Sequence, residues 1–273
     1  MTDSEWQTIY GTLMTSEPID AYSGVSIPTE MLRSLAQQIN TGGIPWHMDH
    51  DLSKPIRIRS FEAFVESRRD GIDELRFRAE LHEEDVQWLE SRPGMSTTLA
   101  TPLARDQNGT PNDGAMMRLS ADHAWFADDA LIEAEEQLIM QGVGRDLIQV
   151  ERAYQFGFMP DPQIFIEIVY PFLQSMAPNV VWDGIKKLFS QRRTPIGGNV
   201  EAPTVINMSI VDGDRSLTAV VTTNDETVAQ HAIGSLNQAV TAFFQSSPVS
   251  PPEAKPKSVT VWDDARHNWT PPA

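Results

Sequence analysis

The stretch "IRIRSFEAFVESRRDGIDELRFRAEL", residues 56–81, decides the fold class expected for the first half of the chain. Apolar and polar residues alternate along both of its halves, as they do in strands that bury one face. Between the halves lies Asp70-Gly71, a dipeptide typical of the tight turns that join antiparallel strands. The stretch therefore predicts a β-hairpin.

The segments around this hairpin predict a β-rich domain with short helices. Before it, "IPTEMLRSLAQQIN" has Thr29 as a candidate N-cap and apolar residues at helical spacing, and "TGG" ends the helix. After it, "HEEDVQWLESRPG" predicts a short helix, and "MSTTLATPLA" and "AMMRLSADHAWF" predict strands. The domain is expected to cover residues 24–127, after a polar leader over residues 1–23.

Beyond Asp128 the pattern becomes helical and predicts a second, smaller domain. The segments "DDALIEAEEQLIMQG", "PQIFIEIVYPFL" and "NVVWDGIKKLFSQRR" predict helices. A hairpin in "TVINMSIVDGDRSLTAVVTTND" and the helix "ETVAQHAIGSLNQAVTAFF" complete a helical, then α+β module over residues 128–245. The Pro- and Ser-rich tail, residues 246–273, is expected to be disordered. The fold class expected for the whole chain is α+β.

Composition excludes several functional classes. The 273 residues carry a formal net charge of -17, which disfavours a nucleic-acid partner because such binding depends on clustered Lys and Arg. The chain has no Cys, so disulfides and thiolate chemistry are excluded. The N-terminus lacks the pattern of a signal peptide, and "IFIEIVYPFL" is far shorter than a membrane span of about 20 residues. No membrane partner and a cytoplasmic location are expected.

The segment "PWHMDHDLSKPI" concentrates histidine and aspartate. On a single strand, alternation would place His47, Asp49 and Asp51 on one face and His50 on the other. These are suitable metal ligands, but same-face residues lie about 7 Å apart, too far for more than two to reach one ion. We therefore predict neither a metal site nor a cofactor here. The alternative is a solvated strand edge whose charges discourage pairing with another chain.

The order of these elements resembles a known family. "HDLSKPI", a hairpin ending in "ELRFRAEL", a short helix and then "GMS" are similar to the N-terminal half of the tailed-phage prohead maturation serine proteases, over roughly residues 24–126. That family shares the β-barrel fold of the herpesvirus assemblins. The resemblance implies that His50 is the general base and Ser96 the nucleophile. Without a catalytic role, Ser96 would be a turn residue and His50 a surface histidine.

A serine nucleophile needs a base, and the base needs a third group that orients its imidazole. In the family this group is an acidic residue, or a second His in the assemblins, on a strand soon after the nucleophile. Here "ADHAWF" offers Asp122 and His123. Parity favours His123, because it alternates in phase with the apolar residues of the predicted strand, which are Met117, Leu119 and Ala121. A core position without catalytic role is the alternative for His123.

Two functions follow from this sequence. The first is a serine endopeptidase that, by the resemblance, would cleave scaffold or capsid proteins during phage head assembly, and itself. The second is a catalytically inactive protease-like domain that serves as a protein-interaction module, because a fold does not certify activity. In both cases the expected partner is a protein, and a homo-oligomer is compatible with either.

Overall fold

The structure of the chain is a computed structural model that describes residues 5–22, 24–42, 47–48, 51–90, 95–103, 112, 114–156, 161–177, 179–195, 198–246 and 257–271. The chain divides into two units. The first comprises Met1–Leu99 with Gln155–Pro160, and the second comprises Ala100–Tyr154 with Asp161–Ala273. Both units contain helices and strands, which confirms the predicted α+β class.

The first unit contains two helices and six strands among its described residues. In chain order they are β1 (Trp6–Thr15), α1 (Thr29–Gly42), β2 (His47–Met48), β3 (Asp51–Pro55), β4 (Ile58–Ser67), β5 (Asp73–His82), α2 (Glu83–Glu90) and β6 (Met95–Pro102), which ends in the second unit. Strands β1, β5 and β4 form a three-stranded sheet in that order, and β2 pairs with β3 and β6. The described strands form open sheets and no closed barrel.

The predicted hairpin is confirmed as β4 and β5. The two strands are antiparallel, with Ser67 opposite Asp73. The N–H of Arg68 donates to the C=O of Ile72 over 2.8 Å, which closes the turn. Gly71 has a φ of +85°, a conformation that a residue with a Cβ adopts only with strain.

Part of the predicted polar leader is in fact the strand β1. It pairs with β5 along its length, from Trp6 opposite His82 to Thr15 opposite Glu74. A register shift between Thr12 and Met14 inserts one extra residue. Such a bulge breaks the period of two, which explains why the sequence pattern did not indicate a strand.

Helix α1 packs against the three-stranded sheet, as its apolar spacing predicts. The core cluster of the unit joins Leu32, Leu35 and Ile39 of the helix to Ala63 and Leu75 of the sheet. All of these residues are buried. Burying a Leu or Ile side chain stabilises a fold by about 1.5–3 kcal/mol, so this contact is the main source of stability that α1 contributes.

The second unit contains four helices and seven strands among its described residues. They are β7 (Met117–Asp122), α3 (Asp128–Met140), β8 (Ile148–Phe156), β9 (Gln163–Val169), α4 (Tyr170–Ser175), α5 (Val180–Ser190), β10 (Thr204–Asp212), β11 (Arg215–Thr223), α6 (Glu226–Gln245), β12 (Lys257–Asp263) and β13 (Asn268–Trp269). The end of β8 belongs to the first unit. No helix in the described part of the chain is long and apolar enough to cross a membrane.

The sheet of the second unit is built from three strand-helix-strand segments. Each pairs its two strands in parallel: β7 with β8, β9 with β10, and β11 with β12. Neighbouring segments meet through antiparallel pairs, β7 with β9 and β10 with β11. Parallel strands need a crossover connection, and helices α3, α5 and α6 supply it in turn.

Two segments of the second unit differ from the sequence prediction. "QIFIEIV" was predicted to be helical but forms β9, where Ile164, Ile166 and Ile168 are buried and Glu167 is exposed. The period of two and the β-branched residues suit a strand, and they outweigh the apolar content that suggested a helix. In the tail predicted to be disordered, residues 257–263 form β12, which pairs with β11.

The division between the units follows strand pairing rather than composition. The sequence placed the domain boundary at Asp128, where the helical pattern begins. In the structure, β7 already belongs to the second unit, because both of its neighbours, β8 and β9, come later in the chain.

We predict that Gly184→Ala destabilises the protein. A Cβ at this position in α5 would lie 2.6 Å from Leu138 Cδ2 of α3, and Leu138 is fully buried, so the added methyl overpacks the contact. The expected loss is about 1–3 kcal/mol, measured by urea unfolding.

Gly234→Ala in α6 is the matched control, since nothing lies within 4 Å of its Cβ position. This change should be neutral or stabilise by up to about 1 kcal/mol, because Ala favours helix more than Gly. Equal effects of the two substitutions would contradict the packing argument.

Candidate functional site

The segment rich in His and Asp lies on two antiparallel strands rather than one. Strand β2 ends at Met48, which pairs with Asp51, the first residue of β3. The prediction that this segment is a single strand is therefore wrong. Asp49 and His50, the predicted base, lie outside the described residues. Among the residues that are described, no group of three or more His, Asp or Glu could hold a metal ion.

Ser96, the predicted nucleophile, lies in β6 of the first unit. The ladder between β2 and β6 pairs it with His47, and only 3 % of the residue is exposed. It lines a cavity of about 450 Å³. This volume is within the range of pockets that hold small ligands or a few residues of a peptide.

The cavity is built mainly from one continuous stretch of backbone. Strand β1 contributes the six consecutive residues 10–15. The other lining residues are Ile19, Phe77, Ser96, Thr97, Gln155 and Phe156. Apolar side chains and hydroxyl groups therefore share the lining, a composition suited to a ligand with both apolar and hydrogen-bonding groups.

Thr97 is a second hydroxyl at this cavity, and sequence reasoning missed it. Its Oγ1 is buried and makes no hydrogen bond within the described part of the structure. Because side chains alternate along a strand, Thr97 lies on the same face of β6 as Leu99, which packs against the core of the unit. Ser96 lies on the opposite face. A buried hydroxyl without a partner costs about 1–3 kcal/mol, so Thr97 marks a place that a ligand could complete.

His123, the predicted third member, follows the end of β7 in the second unit. Its Nδ1 lies 3.5 Å from Oδ1 of Asp128, and 27 % of its side chain is exposed. Its ring centroid lies 5.7 Å from that of Tyr154. Arg193 donates hydrogen bonds to the backbone C=O of His123 and of Ala124. The histidine is thus held between a carboxylate and an aromatic ring.

Asp122 is more deeply buried than His123, so the parity argument is wrong at this point. Asp122 is fully buried, and its Oδ1 accepts a hydrogen bond of 2.9 Å from the N–H of Ala124. Its C=O accepts from the N–H groups of Trp125 and Phe126. The strand ends at Asp122, and the alternation that buries the apolar residues of β7 therefore does not extend to His123.

The electrostatics of this cluster favour a neutral histidine beside an ionised aspartate. Burial lowers the pKa of His123; Asp128 opposes this shift, while Arg152 and Arg193 add to it. Arg152 lowers the pKa of Asp128 by donating Nε to Oδ1 over 2.8 Å and Nη2 to Oδ2 over 2.5 Å. A lowered pKa keeps His123 neutral near pH 7.

Ser96 belongs to the first unit. His123 belongs to the second unit, as do the three residues around it, Asp128, Arg152 and Arg193. Sequence reasoning missed all three partners. Asp128 carried a usable signal, because it opens a helix that follows a strand end, where a carboxylate is favoured. Arg152 carried none, because the strand β8 was not predicted.

We predict that His123 makes the protein less stable as the pH falls. Its pKa in the fold is below the ordinary value of 6.5, so the unfolded chain binds more protons than the fold between these two values. The stability associated with a neutral His123 is fully present above pH 6.5 and is lost as the pH falls below that value. The urea midpoint of the wild type should therefore fall more steeply than that of His123→Asn between about pH 7.5 and about pH 5.5.

The comparison with His123→Asn separates the effect of His123 on the pH dependence of stability from that of Glu151, a buried residue of β8. Burial raises the pKa of Glu151, which gives a pH dependence of opposite sign that both proteins share. Parallel curves for wild type and variant would contradict the assignment to His123.

Comparison of the chain with known protein families, with curated proteins and with solved structures gives no significant match.

Proposed function

We propose that the chain is a serine endopeptidase with Ser96 as its nucleophile. The observation that carries this proposal is the position of Ser96 on the wall of the cavity of about 450 Å³. The order of elements that resembles the phage prohead proteases supports the same serine. By that resemblance, scaffold or capsid proteins and the chain itself are the substrates, and the host cytoplasm or the prohead is the place of action.

In this mechanism Ser96 Oγ attacks the carbonyl carbon of a peptide bond while a histidine accepts the hydroxyl proton. The C–N bond then breaks, and the same proton passes to the leaving amine, which leaves an ester on Ser96. Water hydrolyses the ester through the reverse proton transfers. The base must therefore reach both Oγ and the departing nitrogen.

The resemblance assigns the base to His50, whereas the strand register brings another histidine position next to Ser96. His47 is directly opposite Ser96 in the ladder of β2 and β6. For the orienting group, His123 and Asp122 remain the proposed candidates. The hydrogen bond from Ala124 to Asp122 gives that aspartate a structural role in the turn.

A second candidate function is binding of a protein without cleavage. The observation that favours it is the burial of Ser96, which is 3 % exposed and lies on the strand face opposite to Thr97. A nucleophile must meet its substrate, whereas a binding module needs only the cavity and its hydroxyl groups.

Labelling with a fluorophosphonate probe separates the two functions, since the probe reacts with activated serines. If the chain is a peptidase, the wild type is labelled at Ser96 and Ser96→Ala is not. Ser120→Ala is the matched control, because Ser120 is also a buried serine in a strand and should be dispensable. An unlabelled wild type, or labelling that survives in Ser96→Ala, would reject the peptidase.

The base is identified by comparing His50→Ala with His47→Ala. Following the resemblance, we expect His50→Ala to lower the labelling rate by about 10²–10⁴-fold, the usual contribution of a general base, and His47→Ala to leave it nearly unchanged. The opposite pattern would transfer the role to His47, the partner of Ser96 in the ladder.

A further inference from the structure

Among the strands that the structure describes, β1 lies at the edge of the three-stranded sheet and pairs only with β5. The N–H of Ser16 donates to the C=O of Asp73 over 2.8 Å, so Ser16 faces β5. Alternate residues of an antiparallel pair face the partner, and the residues between them face away. The backbone groups of Thr15 therefore face away from β5.

The same alternation identifies the outward residues beyond the bulge. Along β5 the residues that face β1 continue from Asp73 to Leu75 and Phe77, and Phe77 is opposite Gly11. Tyr10 and Thr12, which flank Gly11, therefore turn their N–H and C=O groups outward. Within the described part of the chain, no backbone hydrogen bond to these outward groups occurs.

At two other strand positions of this unit, side chains form hydrogen bonds with the backbone N–H and C=O groups. Asn40 donates Nδ2 to the C=O of Ala63 over 2.9 Å and accepts from its N–H over 2.7 Å. The hydroxyl of Tyr22 does the same for Gln155, at 3.3 Å and 2.6 Å. These side chains take the place of a neighbouring strand, whereas no described residue does so for the outer backbone groups of β1.

The outer side of β1 borders the cavity. Residues 10–15 line it, together with apolar Phe77 and Phe156 and the buried, unpartnered hydroxyl of Thr97. The site therefore offers what an extended main chain requires, namely outward backbone donors and acceptors along a strand and an apolar space for its side chains.

We propose that the outer side of β1 binds a polypeptide segment in extended conformation, as an added strand whose apolar side chains enter the cavity. The inference rests on the proposed function in taking the ligand to be a peptide substrate. The net charge of -17 selects against acidic segments, so the occupant is a neutral or basic peptide. Thr97 Oγ1 supplies a further hydrogen bond to the occupant.

The test uses two proline substitutions matched in residue type and strand side. Thr12 and Thr8 both face away from β5, but only Thr12 lines the cavity. Proline is tolerated where an edge strand turns its N–H outward. Thr12→Pro removes one backbone N–H donor from the proposed site, and Thr8→Pro removes one outside the site. Thr12→Val keeps the backbone donor and removes the side-chain hydrogen bond from Thr12 to Glu74, so it is the control for that bond.

The probe is a randomised library of N-acetylated hexapeptide amides, from which binders to the immobilised full chain are identified by mass spectrometry. We expect neutral or basic, apolar-containing peptides. Thr12→Pro should weaken their binding by roughly three- to tenfold, the range expected for one lost hydrogen bond. Thr8→Pro and Thr12→Val should bind within about twofold of the wild type, since they leave the main-chain contacts at the cavity intact.

Hydrogen exchange on the unmodified chain gives a second readout that needs no variant. The bound peptide should protect the amides of Tyr10, Thr12 and Thr15 and leave that of Thr8 unprotected. Absence of any binding peptide, equal weakening by both prolines, or no protection at these amides would overturn the proposal.

The experiments can refute the peptide-binding site at β1 and the peptidase proposal independently of each other. Peptide binding without fluorophosphonate labelling would refute the peptidase and retain the β1 site. Labelling at Ser96 with no effect of Thr12→Pro on peptide binding or hydrolysis would refute the site and retain the peptidase.

Discussion

Buried backbone N–H and C=O groups must be paired, and β5, the central strand of the three-stranded sheet, is where the first unit meets this requirement on both sides. Its odd-numbered residues face β1 and its even-numbered residues face β4. The ladder therefore fixes which residues of the two outer strands turn toward solvent. The outward-facing backbone groups of β1, the closure of β4 by Asn40 and the course of the backbone around the cavity all depend on this central strand.

In the second unit the same need to pair backbone groups is met at β7, whose partner strands come later in the chain. Its neighbours are β8 in parallel and β9 in antiparallel orientation. This position explains why ionisable groups meet at the end of β7. His123 follows the strand, Asp128 opens the next helix, and Arg152 arrives from the parallel neighbour. The contact between these groups therefore depends on strand pairing and not on a local sequence motif.

Local patterns predicted the local elements. The alternation around Gly71 gave the hairpin of β4 and β5, and the spacing of Leu32, Leu35 and Ile39 gave α1. Strands whose pattern is interrupted, such as β1 with its bulge, could not be read in this way. The candidate residues were predictable only as residue types: Ser96 and His123 were singled out, but the burial of Ser96 and the contact of Arg152 with Asp128 depend on pairing between distant segments.

The first unit is discontinuous in sequence, and this has a consequence for synthesis on the ribosome. Gln155 and Phe156 belong to it, although 55 residues of the second unit separate them from Leu99. At a translation rate of about 5–20 residues per second, the gap lasts roughly 3–11 s. During that time the hydroxyl of Tyr22 lacks the peptide group of Gln155 that it later binds. The N-terminal unit therefore cannot finish folding before the strand-helix-strand segment of its neighbour has been synthesised.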